Sequence, residues 1–141
     1  MSTKLFLDTN IIIDLLGERR PFYESAAQLA TLADSGRINI VISALSFTTV
    51  FYVLSKFEDK ELVKEKIRKL KVITETADLT DKIIEQALSS KFGDFEDAVQ
   101  YFSALKSECN LIITRNAKDY KASLLPVLSP DEYLGTLKNQ N

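Results

Sequence analysis

Residues 4–10, Lys-Leu-Phe-Leu-Asp-Thr-Asn, are the stretch that decides the fold of this chain. A short apolar run at residues 5–7 ends on the carboxylate of Asp8. The next two residues suit the cap of a helix that residues 11–16 can form. A strand that ends on an acid and passes at once into a helix places that acid at the carboxyl edge of a sheet. Open α/β sheets keep their binding sites at this edge, so Asp8 is the first candidate site residue.

The composition limits the class of protein. The chain has 141 residues, is 45% hydrophobic and carries a net charge of -2, which suits one domain and gives no global attraction to nucleic acid or membrane. The absence of histidine excludes Ser-His and Cys-His nucleophiles and most zinc sites. The single cysteine, Cys109, permits no internal disulfide. Because we find neither a signal peptide's apolar core nor a membrane-length apolar run, we expect a cytoplasmic protein that does not enter membranes.

The pattern of apolar residues predicts strands that alternate with helices. Strands are predicted at residues 5–7, 38–42, 72–74, 111–114 and 126–128. Helices are predicted at 11–16, 22–33, 44–57, 59–70, 81–89 and 94–108, with a last one from Ser129. This alternation implies a mostly parallel sheet with helices on both faces. We expect one domain at residues 1–137 and a frayed tail at 138–141.

A second acidic cluster opens the predicted sixth helix. Asp94 and Asp97 are three residues apart, so their side chains share a helix face. Taken alone, two acids at a helix N-terminus most often serve only to stabilise that terminus. Glu96 lies off the shared face, and we expect it to be solvated.

A third polar cluster, residues 114–120, directly follows the predicted fourth strand. It contains Asn116 and Asp119, whose ordinary role would be to build a turn. Three such clusters at strand ends or helix starts are expected to converge on one site. Bringing two carboxylates within about 5 Å costs on the order of 3 kcal/mol, which a divalent cation offsets. Ligands that are all oxygen favour Mg²⁺ or Mn²⁺ over zinc.

Four segments, in this order, resemble the motifs of PIN domains. They are Leu-Asp-Thr-Asn-Ile at 7–11, Ile-Ser-Ala-Leu-Ser at 42–46, Asp-Phe-Glu-Asp-Ala-Val-Gln-Tyr at 94–101 and Ile-Thr-Arg-Asn-Ala-Lys-Asp-Tyr at 113–120. The resemblance implies a three-layer α/β fold with a central parallel sheet of about five strands in the order 3-2-1-4-5. It also implies a ribonuclease that depends on Mg²⁺ or Mn²⁺. Many small members are VapC-type toxins, which act on RNA and pair with an antitoxin protein, and a homodimer is a further expectation.

The resemblance assigns roles residue by residue. Asp8 matches the family's first acid, Asp97 matches the acid of its helix-opening motif, and Asp94 is an extra acid of the subgroup that reads Asp-Phe-Glu-Asp. These three are the expected metal ligands, and Asp119 completes the expected catalytic set. The candidate substrate-binding residues are Asn10, Ser43, Thr49, Thr114, Arg115 and Asn116.

Two positions depart from the family pattern. The family's second acid is a glutamate on the helix after strand two, where this chain has Thr49, and its last acid aligns with Asn116, three residues before Asp119. These departures leave open an alternative to the endoribonuclease, a nucleic-acid-binding PIN module that has lost cleavage.

A third hypothesis for the function is phosphotransfer of the haloacid-dehalogenase type. That chemistry requires an acid two residues after Asp8, and the chain has Asn10 there.

Three other features have simple interpretations. The basic run Lys56–Lys71 is expected to form a solvated helix face, with binding of backbone phosphates as the alternative. Tyr52 and Phe57 are expected to lie in the core rather than to stack on bases. Cys109 is expected to be an inert, buried thiol.

Overall fold

The strands form one parallel sheet. In the computed structural model, which describes residues 3–139, five strands lie in the order β3-β2-β1-β4-β5, and every neighbouring pair is parallel. The strands are Thr3–Leu7 (β1), Ile38–Ser43 (β2), Glu75–Ala77 (β3), Leu111–Ile113 (β4) and Val127–Leu128 (β5). The predicted fold class and strand order are therefore confirmed.

Helices cover both faces of this sheet. They are Thr9–Leu16 (α1), Tyr23–Asp34 (α2), Ala44–Leu54 (α3), Lys60–Val72 (α4), Asp81–Leu88 (α5), Phe95–Lys106 (α6) and Pro130–Lys138 (α7). Successive side chains of a strand point to opposite faces of the sheet, and those of β1 pack against different helices on the two faces. Leu5 and Leu7 pack in one cluster with α1, α2, α3, α4 and α7, whereas Phe6 packs on the opposite face with Tyr101 and Ala104 of α6. The result is the expected arrangement of three layers.

The register of the central strands brings two chain segments together at the carboxyl edge. Leu7, the last residue of β1, pairs with Ile113, the last residue of β4. The backbone N–H of Asp8 then donates to the carbonyl of Ile113 at 3.0 Å. Asp8 and Thr114 therefore leave the sheet side by side, as expected for parallel strands.

The third strand lies three residues further along the chain than predicted. The sequence predicts a strand at residues 72–74, but α4 continues through Val72 and the strand is Glu75–Ala77. Val72 is 84% exposed, because the inward stripe of α4 ends at Leu70. Thr74 Oγ1 donates to the Leu70 carbonyl at 2.9 Å, close to the end of the helix. An apolar run of three residues is too short for periodicity to separate helix from strand.

The C-terminal part of α3 also differs from the prediction. The helix ends at Leu54 rather than at residue 57, and Tyr52 and Phe57 are 65% and 82% exposed rather than in the core. Lys56 Nζ lies 4.5 Å from the centre of the Tyr52 ring. The apolar residues all round this helix predict more burial than the structure shows.

The last helix begins where the sequence predicts it. The Ser129 hydroxyl accepts from the Glu132 N–H at 3.0 Å, and the Glu132 carboxylate accepts from the Ser129 N–H at 2.8 Å, which is a capping box. Lys138 is the last helical residue rather than part of a tail, and Asn139 caps the helix. The end of the predicted tail, residues 140 and 141, lies outside the described residues. Within residues 3–139, no helix has the length and apolarity needed to cross a membrane.

Candidate active site

An acidic cavity of about 300 Å³ opens at the carboxyl edge of the sheet. It is lined by residues from the exit of β1, from α3, from the start of α6 and from the segment after β4. The polar lining residues are Asp8, Thr9, Asn10, Thr49, Asp94, Glu96, Asp97, Gln100 and Asp119. The four acids predicted from sequence to be catalytic therefore share one cavity.

Asp8 is the most buried of these acids, with 3% of its surface exposed. It caps α1, and its Oδ1 accepts from the Asn10 N–H at 3.2 Å. Thr114 Oγ1 donates to Oδ2 at 2.6 Å, and Gln100 Nε2 donates to Oδ1 at 3.5 Å. Burial raises the pKa of the Asp8 carboxyl, and these three hydrogen bonds oppose that rise. Asp8 is thus a helix cap and a cavity-lining acid at the same time.

Asp94 and Asp97 lie on the first turn of α6, as the sequence predicts. Asp94 is the N-cap, and its Oδ1 accepts from the Asp97 N–H at 3.0 Å. Burial, followed by the charges of Asp94, Asp8, Asp119 and Glu96, raises the pKa of the half-buried Asp97 carboxyl from 3.8 to about 7. The acids of the cavity therefore repel one another when the protein holds no cation.

Glu96 and Gln100 belong to the cavity, although the sequence analysis gave neither a role there. The prediction that Glu96 is merely solvated is wrong, because it is half-buried and Thr9 Oγ1 donates to its Oε2 at 3.1 Å. Gln100 is buried, and its Oε1 accepts from the Thr9 N–H at 2.9 Å. The available signal was their spacing, since residues four apart on a helix share a face. An amide among the apolar positions of α6 was a second signal.

The predicted substrate-binding residues divide into two groups. Asn10 and Thr49 line the cavity, and Thr114 lies directly behind it, buried and bound to Asp8. Asn116 is not among the lining residues, and its N–H donates to Thr114 Oγ1 at 3.1 Å. Ser43 is fully buried, where it caps α3 by accepting from the Leu45 N–H at 3.2 Å. In this structure Asn116 and Ser43 serve local backbone structure, and neither reaches the cavity.

Arg115 points away from the acidic cavity. Its Nε donates to Asp14 Oδ2 at 2.7 Å and its Nη2 donates to Asp14 Oδ1 at 3.2 Å. Asp14 is fully buried on α1 and also pairs with Arg19, while the Arg115 guanidinium stacks 3.7 Å from the centre of the Phe22 ring. The charge and the planar face of Arg115 are thus engaged within the protein, and its contact with a phosphate stays a prediction.

The basic run and the lone thiol have structural roles in this fold. Lys66 Nζ donates to the carbonyl of Leu16 at 2.9 Å and to Glu58 Oε1 at 2.5 Å, and Lys64 pairs with Glu61. These contacts agree with the expected helix face.

Cys109 is buried, and burial raises the pKa of its thiol to about 12, so it stays protonated and inert.

The donors of the cavity suit a hydrated, hard cation. They are carboxylate, amide and hydroxyl oxygens that crowd negative charge into one cavity. Among residues 3–139, however, no three acidic, histidine or cysteine side chains are close enough to form a protein cage for a metal. Mg²⁺ keeps several waters and is held by one or two carboxylates, so the donor set fits Mg²⁺ or Mn²⁺ better than an ion that needs full protein coordination.

The fold and the cavity together define a class: α/β domains with a 3-2-1-4-5 parallel sheet and a carboxylate cluster at its carboxyl edge. The comparison with known families makes this specific. The sequence model of the PIN domain family matches residues 4–118, so the chain belongs to the PIN domain family.

Individual relatives agree with this assignment. The chain is 33% identical over 136 residues to ribonuclease VapC1 of Aquifex aeolicus strain VF5, with 94% of each chain covered. A toxin–antitoxin complex from Klebsiella pneumoniae contains a chain with a TM-score of 0.66 and 23% identity, which covers 89% of this chain and 97% of that one. FitAcB from Neisseria gonorrhoeae gives a TM-score of 0.68 at 18% identity, with coverage of 89% and 97%. These two structural likenesses concern the fold.

Proposed function

We propose that this protein is a metal-dependent endoribonuclease of the PIN type that acts as the toxin of a toxin–antitoxin pair. The observation that carries the proposal is the convergence of Asp8, Asp94, Asp97 and Asp119 on one cavity at the carboxyl edge of the sheet. The substrate class is supported by the relative from Aquifex aeolicus, which is called a ribonuclease. An antitoxin partner is supported by the toxin–antitoxin complex from Klebsiella pneumoniae.

The reaction is hydrolysis of an RNA phosphodiester bond. Asp8, Asp94 and Asp97 would hold Mg²⁺ or Mn²⁺ partly through its coordinated waters, because no three acids among residues 3–139 are close enough to cage one ion, and Asp119 would hold a second ion or its water. When bound, such an ion lowers the pKa of a water molecule and stabilises negative charge on the phosphate. Thr114 holds the Asp8 carboxylate in place, and Asn10 and Thr49 lie where they can contact the scissile phosphate. The expected place of action is the cytoplasm, and a homodimer remains a prediction.

The alternative of a binding module without cleavage rests on Thr49 and Asn116. Thr49 lines the cavity without a charge, and Asn116 does not line it. Glu96 and Asp119 nevertheless bring two further carboxylates into the same cavity. Five carboxylates therefore line one cavity, and this concentration of negative charge is why we favour the enzyme.

Replacement of Asp8 by asparagine tests the proposal. Asp8→Asn keeps the shape of the side chain and the cap of α1 but removes the charge a cation requires, so it should abolish RNA cleavage in Mg²⁺ or Mn²⁺. Asp59→Asn is the matched control, because Asp59 also caps a helix and is not among the residues that line the cavity. Cleavage of an RNA pool by the purified proteins, with EDTA as the blank, gives the result. Equal cleavage by Asp8→Asn and wild type would refute the proposal, and metal binding without cleavage by wild type would favour the binding module.

A further inference from the structure

A single buried amide links the segments that build the cavity. Gln100, 1% exposed on α6, accepts at Oε1 from the Thr9 N–H at 2.9 Å. Its Nε2 donates to Tyr120 Oη at 3.3 Å and to Asp8 Oδ1 at 3.5 Å. Both ends of the amide are therefore hydrogen-bonded in a region without solvent access.

The peptide N–H of Thr9 fixes which way this amide faces. A backbone N–H can only donate, so the oxygen of Gln100 must lie toward Thr9. The nitrogen then necessarily lies toward Asp8 and Tyr120. Asp8 consequently meets a donor on this side.

The donors around Asp8 leave its carboxylate little freedom. Gln100 and the Asn10 N–H hold Oδ1, and Thr114 holds Oδ2. We propose that Gln100 is a positioning residue that orients the Asp8 carboxylate for the reaction in the cavity, an inference that rests on the proposed function. The 3.5 Å separation is long for a hydrogen bond, and such contacts in unliganded active sites commonly shorten when the reacting complex forms.

Two isosteric replacements separate positioning from a merely structural role. Gln100→Met removes every hydrogen bond of the amide. Gln100→Glu keeps the acceptor toward Thr9, and the Tyr120 hydroxyl can rotate to donate, but an acceptor that repels the Asp8 carboxylate replaces the donor on that side. A structural role predicts near-normal turnover for Gln100→Glu, whereas a positioning role predicts that both variants are impaired.

The control lies on the same helix. Tyr101 is buried on α6, outside the cavity lining, and its Oη accepts from the Leu124 N–H at 3.1 Å. Tyr101→Phe removes a hydrogen bond to the backbone without touching the site. It should lower the melting temperature and leave kcat unchanged below the melting transition.

The experiment measures kcat and KM for an RNA oligonucleotide that the wild type cleaves, and Mn²⁺ binding by titration without RNA. Outer-shell partners of metal ligands typically contribute about 10–100-fold to affinity or activity, so both Gln100 variants should lose about that factor in kcat, with KM within about threefold. Gln100→Met should also bind Mn²⁺ about tenfold more weakly.

Wild-type turnover in Gln100→Glu would overturn the proposal. If the wild type cleaves no RNA, the proposed function fails, and Mn²⁺ binding alone decides the role of Gln100. An unchanged Mn²⁺ dissociation constant in Gln100→Met would then overturn the positioning role, and a dissociation constant about tenfold higher would support it.

Discussion

Replacement of Asp97 by asparagine should stabilise the metal-free protein above pH 7. Burial, with added repulsion from neighbouring acids, raises the pKa of the Asp97 carboxyl from 3.8 to about 7. A carboxyl whose pKa is higher in the folded than in the unfolded state favours folding while it is protonated. Its contribution is complete below pH 3.8 and is lost as the pH rises through about 7. At pH 8 the charge of Asp97 therefore opposes folding, and asparagine removes it.

The size of the effect follows from the shift. Roughly three pKa units correspond to about 4 kcal/mol at 1.36 kcal/mol per unit. Asp97 is only half-buried, and solvent screening reduces this to about 1–2 kcal/mol. Loss of a favourable charge at the N-terminus of α6 subtracts about 0.5 kcal/mol. The net gain of about 1 kcal/mol corresponds to a rise of about 2–4 °C in the melting temperature of a domain this size.

Urea unfolding in EDTA at pH 5, 6, 7 and 8 measures the prediction. The difference in unfolding free energy between Asp97→Asn and wild type should grow from pH 5 to pH 7 and then level off. Asp81→Asn is the control, because Asp81 is an exposed acid in the first turn of α5 and outside the cavity. At pH 8 it should stabilise the protein less than Asp97→Asn does, because it removes no charge from the cavity. A difference for Asp97→Asn that is constant with pH would refute the reasoning that the cavity holds mutually repelling acids.

Three further measurements follow from the site. We assume that Mg²⁺ binds with a dissociation constant on the order of 1 mM. At ten times that concentration it should raise the unfolding free energy by about 1.4 kcal/mol and the melting temperature by about 3–5 °C. Mn²⁺ should stabilise the protein at least as much, and a monovalent salt of equal ionic strength much less. Asp14→Asn should lower the unfolding free energy by about 3 kcal/mol, because it leaves Arg19 and Arg115 without their buried partner; an unchanged value in urea would contradict this. Thr49→Glu should bind Mn²⁺ about tenfold more tightly in a titration, because it adds a carboxylate to the lining, and equal affinity would show that Thr49 is not at the family's acid position.

The strand order and the gathering of the acids could be predicted because both depend on local patterns. Short apolar runs that end on polar residues mark the carboxyl ends of parallel strands, and those ends meet at one edge. Asp8, after β1, and Asp119, after β4, accordingly reach the same cavity as Asp94 and Asp97. The family resemblance added the order of the strands, which apolar periodicity alone does not specify.

What sequence reasoning missed depends on side-chain partners. Arg115 follows a strand and has the charge to bind phosphate, but it is bound by Asp14, a buried acid on α1 that lies 101 residues earlier in the chain. Glu96 and Gln100 were passed over because their contacts run to Thr9, on a different segment. Such partners are fixed by tertiary packing, which neither periodicity nor spacing along one helix reveals. The third strand was misplaced for the related reason that strand pairing overrides a short local preference.

The distance along the chain between Asp8 and Thr114 bears on when activity can arise during translation. These residues are 106 positions apart, yet the bond between them at 2.6 Å is the shortest that Asp8 receives. Strand β1 can pair with β2 early in synthesis, but its other neighbour, β4, emerges from the ribosome much later. Contacts of such long range form only after the intervening chain is available. A nascent chain released before β4 therefore lacks an assembled cavity, and interrupted synthesis should yield fragments without the proposed nuclease activity.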